Sequence, residues 1–91
     1  YTSEELQLDC PDEIKNRVVA EVIARFEPDH EMNTVDGARI VFEGGWGLIR
    51  ASNTGEELVM RFEGDTEAAR DRIGKQITAA VQAAMSAHGI G

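Results

Sequence analysis

Between Ala38 and Glu63 the chain carries three short runs of strand-forming residues separated by tight turns, and this block constrains the fold more than any other feature. Ala38, Ile40 and Phe42 alternate with Arg39, Val41 and Glu43, and Leu58, Met60 and Phe62 alternate with Val59, Arg61 and Glu63. Successive side chains of a strand point to opposite faces, so each run presents one apolar face. That is the pattern of an open antiparallel sheet covered on one side only. Asp36-Gly37 is a strong hairpin signal, placing a strand at Met32–Val35 before the one at Ala38–Glu43. Gly44-Gly45 makes the next turn, Trp46–Ala51 the next strand, and Ser52–Glu56 the loop into the last one, Leu58–Phe62.

Two helical stretches supply the cover. Glu4–Asp9 reads as a leading strand in which Leu6 and Leu8 alternate with polar residues. Pro11 suits the first position of a helix, where a missing N–H costs nothing, and Asp12 and Glu13 complement the positive end of its dipole. Ile14, Val18, Val22 and Phe26, flanked by Val19 and Ile23, lie along one stripe, and Pro28 ends the helix near Glu27. Asp65-Thr66 caps a second helix. Its stripe of Ala69, Ile73, Ile77, Ala80, Val81, Ala84 and Met85 is rich in alanine, which allows close packing on the sheet. Gly74 weakens this helix locally by on the order of 1 kcal/mol. The expected architecture is α+β. A four-stranded antiparallel sheet, with Met32–Val35 as a short extra arm, carries the helices Pro11–Phe26 and Thr66–His88 on one face.

The loop Ser52-Asn53-Thr54-Gly55 and the adjacent Arg50 are the candidate chemistry. Small residues admit close backbone approach, hydroxyls and amides hydrogen-bond, and a guanidinium grips two phosphate oxygens at once. The same residue types also build an ordinary β-turn beside a solvated arginine. Seventeen acidic against nine basic residues give a net charge of −8, which argues against nucleic acid or an anionic membrane as partner. A local anion site can still oppose that field, since Arg50 is the only charge between Gly44 and Gly55 and no lysine is needed there.

Elsewhere the sequence offers little chemistry. His30 and His88 have no ligand-spaced partners and read as surface histidines, so no metal site is expected. The acidic groups Asp9, Asp12, Glu13 and Glu27, Asp29, Glu31 lack the longer donor alternation and glycine of a calcium loop. Ser52 has no base near it in sequence, which favours a ligand over a nucleophile, and no catalytic residue is assigned. Trp46 reads as a core or domain-interface aromatic, with stacking on a sugar as the alternative. Arg39 and Arg61 belong to the uncovered face, paired with Glu43 or Glu63 or meeting a neighbouring domain. The single cysteine, Cys10, excludes an internal disulfide and fits a reducing, cytoplasmic compartment. At a helix start its thiol pKa could be lowered, though an inert cysteine is the favoured reading.

The segment Gly45-Trp46-Gly47-Leu48-Ile49-Arg50-Ala51-Ser52-Asn53-Thr54, followed by Leu58-Val59-Met60-Arg61-Phe62-Glu63, resembles the C-terminal domain of the phosphohexomutases, phosphomannomutase/phosphoglucomutase branch. The resemblance runs from Asn33-Thr34-Val35-Asp36-Gly37 into the helix after Asp65, and covers the earlier residues by pattern only. It implies a TATA-binding-protein-like or helix-grip fold and a single domain over residues 1–91, the fourth of its enzyme. Because the chain begins at Tyr1 and matches only that last domain, a piece of a longer protein is expected.

In the family this loop holds the sugar's non-transferred phosphate, which assigns Arg50, Ser52, Asn53 and Thr54 to substrate-phosphate binding. The resemblance also implies a phosphoserine and a Mg²⁺ ion held on other domains, a bisphosphorylated intermediate, and a hexose phosphate and the remaining domains as partners. This chain alone would then be inactive. One departure is visible: the family usually has a proline shortly after the threonine, where this chain reads Gly55-Glu56-Glu57. Glycine loosens the loop exit, and two carboxylates repel phosphate. The alternative reading is a small regulatory or subunit-interaction domain without phosphate chemistry.

Overall fold

The computed structural model describes residues 1–3 and 5–89. The elements in chain order are β1 (Leu6–Asp9), α1 (Asp12–Phe26), β2 (Met32–Asn33), β3 (Ala38–Phe42), β4 (Gly45–Ala51), β5 (Glu57–Gly64) and α2 (Glu67–Ala87). All neighbouring strands are antiparallel, in the spatial order β1-β5-β4-β3-β2.

The α+β architecture with both helices on one face matches the sequence expectation, but the sheet has five strands rather than four. The fifth is the expected arm, cut to Met32–Asn33 and fully part of the sheet through Met32↔Ile40 and Asn33↔Arg39. It stops there because Asn33 Oδ1 accepts from Val35 N–H at 3.0 Å, a side-chain turn that bends the backbone away from the ladder. Val35 is consequently 92% exposed.

The covered face is built as the alternation dictates. Ala38, Ile40 and Phe42 of β3, Ile49 of β4, and Leu58, Met60 and Phe62 of β5 are buried against Val18, Val22 and Phe26 of α1 and Ile73, Ile77 and Val81 of α2. Burying an aliphatic side chain of this size contributes roughly 1.5–3 kcal/mol, so this layer is the main source of stability. Glycines set how closely α2 lies. A Cβ on Gly47 would collide with Ile77 Cδ1, and one on Gly74 would press on the Phe62 ring at 3.0 Å. Gly74 therefore trades helix propensity for helix–sheet contact.

Two boundaries differ from expectation for local reasons. Pro11 is the N-cap of α1 rather than its first residue and supplies no side-chain cap; its carbonyl accepts from Ile14 and Lys15. The turn into β4 is Glu43-Gly44, with Gly44 at φ +82°, so Gly45 already belongs to the strand. Thr66 caps α2 as expected, its hydroxyl accepting from Ala69 N–H at 3.0 Å.

Candidate functional site

The opposite face of the sheet has no helix. Register places Arg39, Leu48 and Arg61 on one rung and Val41, Trp46 and Glu63 on the next. Arg50 follows on the other side, opposite Val59. Trp46 is therefore outside the helix-covered core. Its indole N–H donates to Glu63 at 3.1 Å while the Arg39 guanidinium lies 4.5 Å above its ring. Hydrogen bonds from Thr2 and then Trp46 hold the Glu63 carboxyl below its ordinary range. Val59 is on this face too, yet it is buried between Arg50 on β4 and Gln7 on β1.

The loop leaving β4 is shaped by its own side chains. Ser52 is only 7% exposed; its hydroxyl accepts from Thr54 N–H at 3.2 Å and lies 3.3 Å from the Thr54 hydroxyl. Ser52 N–H donates to Glu57 O and Glu57 N–H to Gly55 O, which closes the loop base. Asn53 and Thr54 are exposed at its tip. Among the described residues, the N–H groups of Asn53, Gly55 and Glu56 make no hydrogen bond, and the Arg50 guanidinium has no hydrogen-bond or ion-pair partner. Arg50 is held close by the neighbouring hairpin. Gly37 has φ +74°, and a Cβ there would reach Arg50 Cβ at 2.5 Å.

The structure thus groups Arg50, Ser52, Asn53 and Thr54 at one end of the sheet but gives them different parts. Ser52 is turned inward and organises the loop. The other three offer groups outward. Arg50 does not line the cleft of about 420 Å³ beside the loop, which Lys15, Asn16, Asp36, Ser52 and Asn53 help to form.

Two expectations are corrected here. Arg50 is not the only cation at the loop, because Lys15 on α1 donates to Ser52 O at 2.6 Å and Gly55 O at 3.1 Å while pairing with Asp12 at 2.7 Å. Nor is the Glu56 carboxylate simply a repelling charge at the loop's exit: its Oε2 accepts from Asp12 N–H at 3.1 Å, at the start of α1. A sequence clue to Lys15 existed. A lysine in the first turns of a helix opposes the dipole, so its presence there hints at a compensating partner.

The two histidines and the cysteine are engaged within the fold. His30 Nδ1 lies 3.1 Å from Phe26 O, and its ring packs on Phe26 and Phe42; His88 meets Glu21 at 2.7 Å. Both are thus engaged rather than merely solvated. Burial raises the Cys10 thiol pKa, with the Lys15 charge opposing it more weakly. Among the described residues no three His, Cys, Asp or Glu side chains converge where they could hold a metal ion, and no helix is long and apolar enough to cross a membrane.

The molecule is thus an α+β domain with an antiparallel meander, whose last loop carries free backbone donors next to an unpaired guanidinium. Comparison with known proteins gives the family. Residues 5–80 match the family described as phosphoglucomutase/phosphomannomutase, C-terminal domain, and the chain belongs to it. It is 42% identical over 81 residues to a phosphoglucomutase of Neisseria gonorrhoeae, covering 86% of this chain and 18% of that protein. A phosphomannomutase/phosphoglucomutase of Pseudomonas putida is 42% identical over 71 residues, 76% of this chain and 15% of that protein. A crystal structure of a phosphoglucomutase/phosphomannomutase family protein from Burkholderia thailandensis superposes with a TM-score of 0.75 at 34% identity, over 92% of this chain and 18% of the other. The chain therefore spans less than a fifth of the length of these relatives.

Proposed function

We propose that this chain is the substrate-phosphate-gripping C-terminal domain of a phosphohexomutase that interconverts hexose 1-phosphates and hexose 6-phosphates. The observation that carries this reading is the loop Ser52–Glu56. Its unpaired N–H groups at Asn53, Gly55 and Glu56 lie in the same short segment as the unpartnered Arg50. Free backbone donors in the loop that follows a guanidinium would suit a phosphate dianion, which offers several acceptor oxygens and two charges. Asn53 and Thr54 would add an amide and a hydroxyl from the exposed tip.

In this reading the domain does no bond-making. Phosphoryl transfer runs through a phosphoserine and a bisphosphorylated sugar elsewhere in the enzyme, and the Mg²⁺ that family membership implies has no fitting donor set among the described residues here. The contribution of this domain is positional. It holds the spectator phosphate so that the reacting oxygen is in line, and as a separate body it can close over the sugar to exclude water. The uncovered sheet face with Arg39, Leu48 and Arg61 gives the other domains of the same enzyme a surface to meet. Isolated, the chain is catalytically inert and binds sugar phosphate in the millimolar range.

Titration of the chain with a hexose phosphate, followed through backbone amide shifts, tests this reading. The expected shifts fall on Asn53–Glu56. Shifts concentrated instead on Arg70, Arg72 and Lys75 of α2 would overturn it.

A further inference from the structure

We infer that Lys15 and Glu56 latch the loop to α1 and thereby aim its free N–H groups, which makes both of them positioning residues for the anion site. The inference rests on the phosphate-grip reading above and concerns how that grip is kept in shape.

The argument starts from the peptide unit. A trans peptide is planar, so the C=O of one residue and the N–H of the next point in opposite directions. Lys15 fastens Ser52 O at 2.6 Å and Gly55 O at 3.1 Å. The N–H groups on the far side of those two peptide units belong to Asn53 and Glu56. They are two of the three loop donors with no partner among the described residues. By drawing two carbonyls back toward α1, Lys15 turns two donors the other way.

Charge does not explain Lys15 as well as geometry does. Its ammonium is 2.7 Å from Asp12, so much of its field is cancelled at source, and its side chain is only 13% exposed. An anion-attracting lysine would be better left unpaired.

Glu56 fixes the loop's exit. Its Oε2 accepts from Asp12 N–H at 3.1 Å, and its backbone O accepts from Cys10 N–H at 2.8 Å. Pro11 offers α1 no side-chain cap, and Glu56 provides one from across the fold. The loop's exit is thus stiffened by two hydrogen bonds.

The two explanations of Glu56 make opposite predictions. If it matters only as a carboxylate near an anion site, Glu56→Ala should tighten phosphate binding. If it is half of the latch, the same change should weaken binding, although it removes a repelling charge. We expect Glu56→Ala to weaken the binding of inorganic phosphate by the 91-residue chain about 3-fold or more. Lys15→Met should weaken it about 10-fold, with Lys15→Arg recovering part of the loss. In both loss variants the hydrogen-bonded amides of Ser52 and Glu57 should exchange faster with solvent than in the parent chain, while amides in the middle of α2 do not.

Glu56 is exposed, so Glu56→Ala should fold even if Lys15→Met does not. Tighter binding by Glu56→Ala, or parental affinity in a folded Lys15→Met, would overturn the latch. If the parent chain shows no phosphate response at all, the phosphate reading fails, and the latch stands or falls on the exchange of Ser52 and Glu57 amides alone.

Discussion

The two ends of β4 are built on different principles. At its entrance, the Glu43-Gly44 turn is closed by backbone and sterics. Asp65 N–H donates to Gly44 O at 2.7 Å, Arg72 donates to Glu43 O, and a side chain on Gly45 would run into the Glu63 carbonyl and Gly64 Cα. At its exit, the Ser52–Glu56 loop contains no positive φ and is tied to α1 by the Lys15 side chain and by Asp12 N–H donating to the Glu56 carboxylate. The first arrangement ties down its carbonyls and leaves no room beside Gly45. The second also holds its carbonyls but keeps an exposed tip, with the N–H groups of Asn53, Gly55 and Glu56 free. A site that must accept an anion needs the second kind, since rigidity there must come from behind the loop.

Substitutions can break that contrast. The largest effect is expected for Gly45→Ala, because the new methyl meets backbone on β5 that cannot move without parting the strands. A loss of roughly 3 kcal/mol or more in denaturant unfolding is expected, with phosphate binding surviving in whatever fraction stays folded. At the exit end, Gly37→Ala should cost about 1–2 kcal/mol for the left-handed backbone. Because its methyl also displaces Arg50, this variant should lose phosphate affinity as well as stability. Equal phosphate affinity in the folded fractions of the two glycine variants would erase the distinction between the two ends.

The smallest effect is at the Trp46 end and concerns pH. The Glu63 carboxyl has its pKa lowered from the ordinary 4.5 by Thr2 and then Trp46. A carboxyl depressed in the folded state adds stability above its unfolded pKa and loses it as pH falls through the folded value. Acid titration monitored by Trp46 fluorescence should therefore show a step below pH 4.5 that Glu63→Gln abolishes. A step unchanged in that variant would assign it to another group.

The fold was largely legible because its determinants are local. Alternation in β3 and β5, the stripes of α1 and α2, and the Thr66 cap are all visible within a few residues of sequence. The extent of β2 was less so, because Asn33 turning onto Val35 competes with the ladder and both outcomes use the same residues. At the site, the candidate residues Arg50 and Ser52–Gly55 stand together in sequence and could be picked out there. Its support did not, since Lys15 and Ser52 are 37 positions apart and only the packing of α1 brings them together. The acidic exit was misread for the same reason. A carboxylate's neighbours decide whether it repels a ligand or caps a helix, and Asp12 N–H lies 44 positions from Glu56.

The central claim is that Arg50 and its loop hold the substrate's spectator phosphate. Its most direct test is Arg50→Ala in an intact phosphohexomutase carrying this domain, measured as kcat/KM alongside the thermal unfolding midpoint. Charge-assisted hydrogen bonds contribute about 1.5–3 kcal/mol, so a fall of roughly ten- to a hundredfold is expected. The unfolding midpoint should stay unchanged, since the Arg50 guanidinium has no partner among the described residues. Arg50→Lys should recover only part of the loss, because an ammonium cannot grip two oxygens in one plane. Parental turnover by Arg50→Ala, or a loss that simply tracks unfolding, would contradict the account.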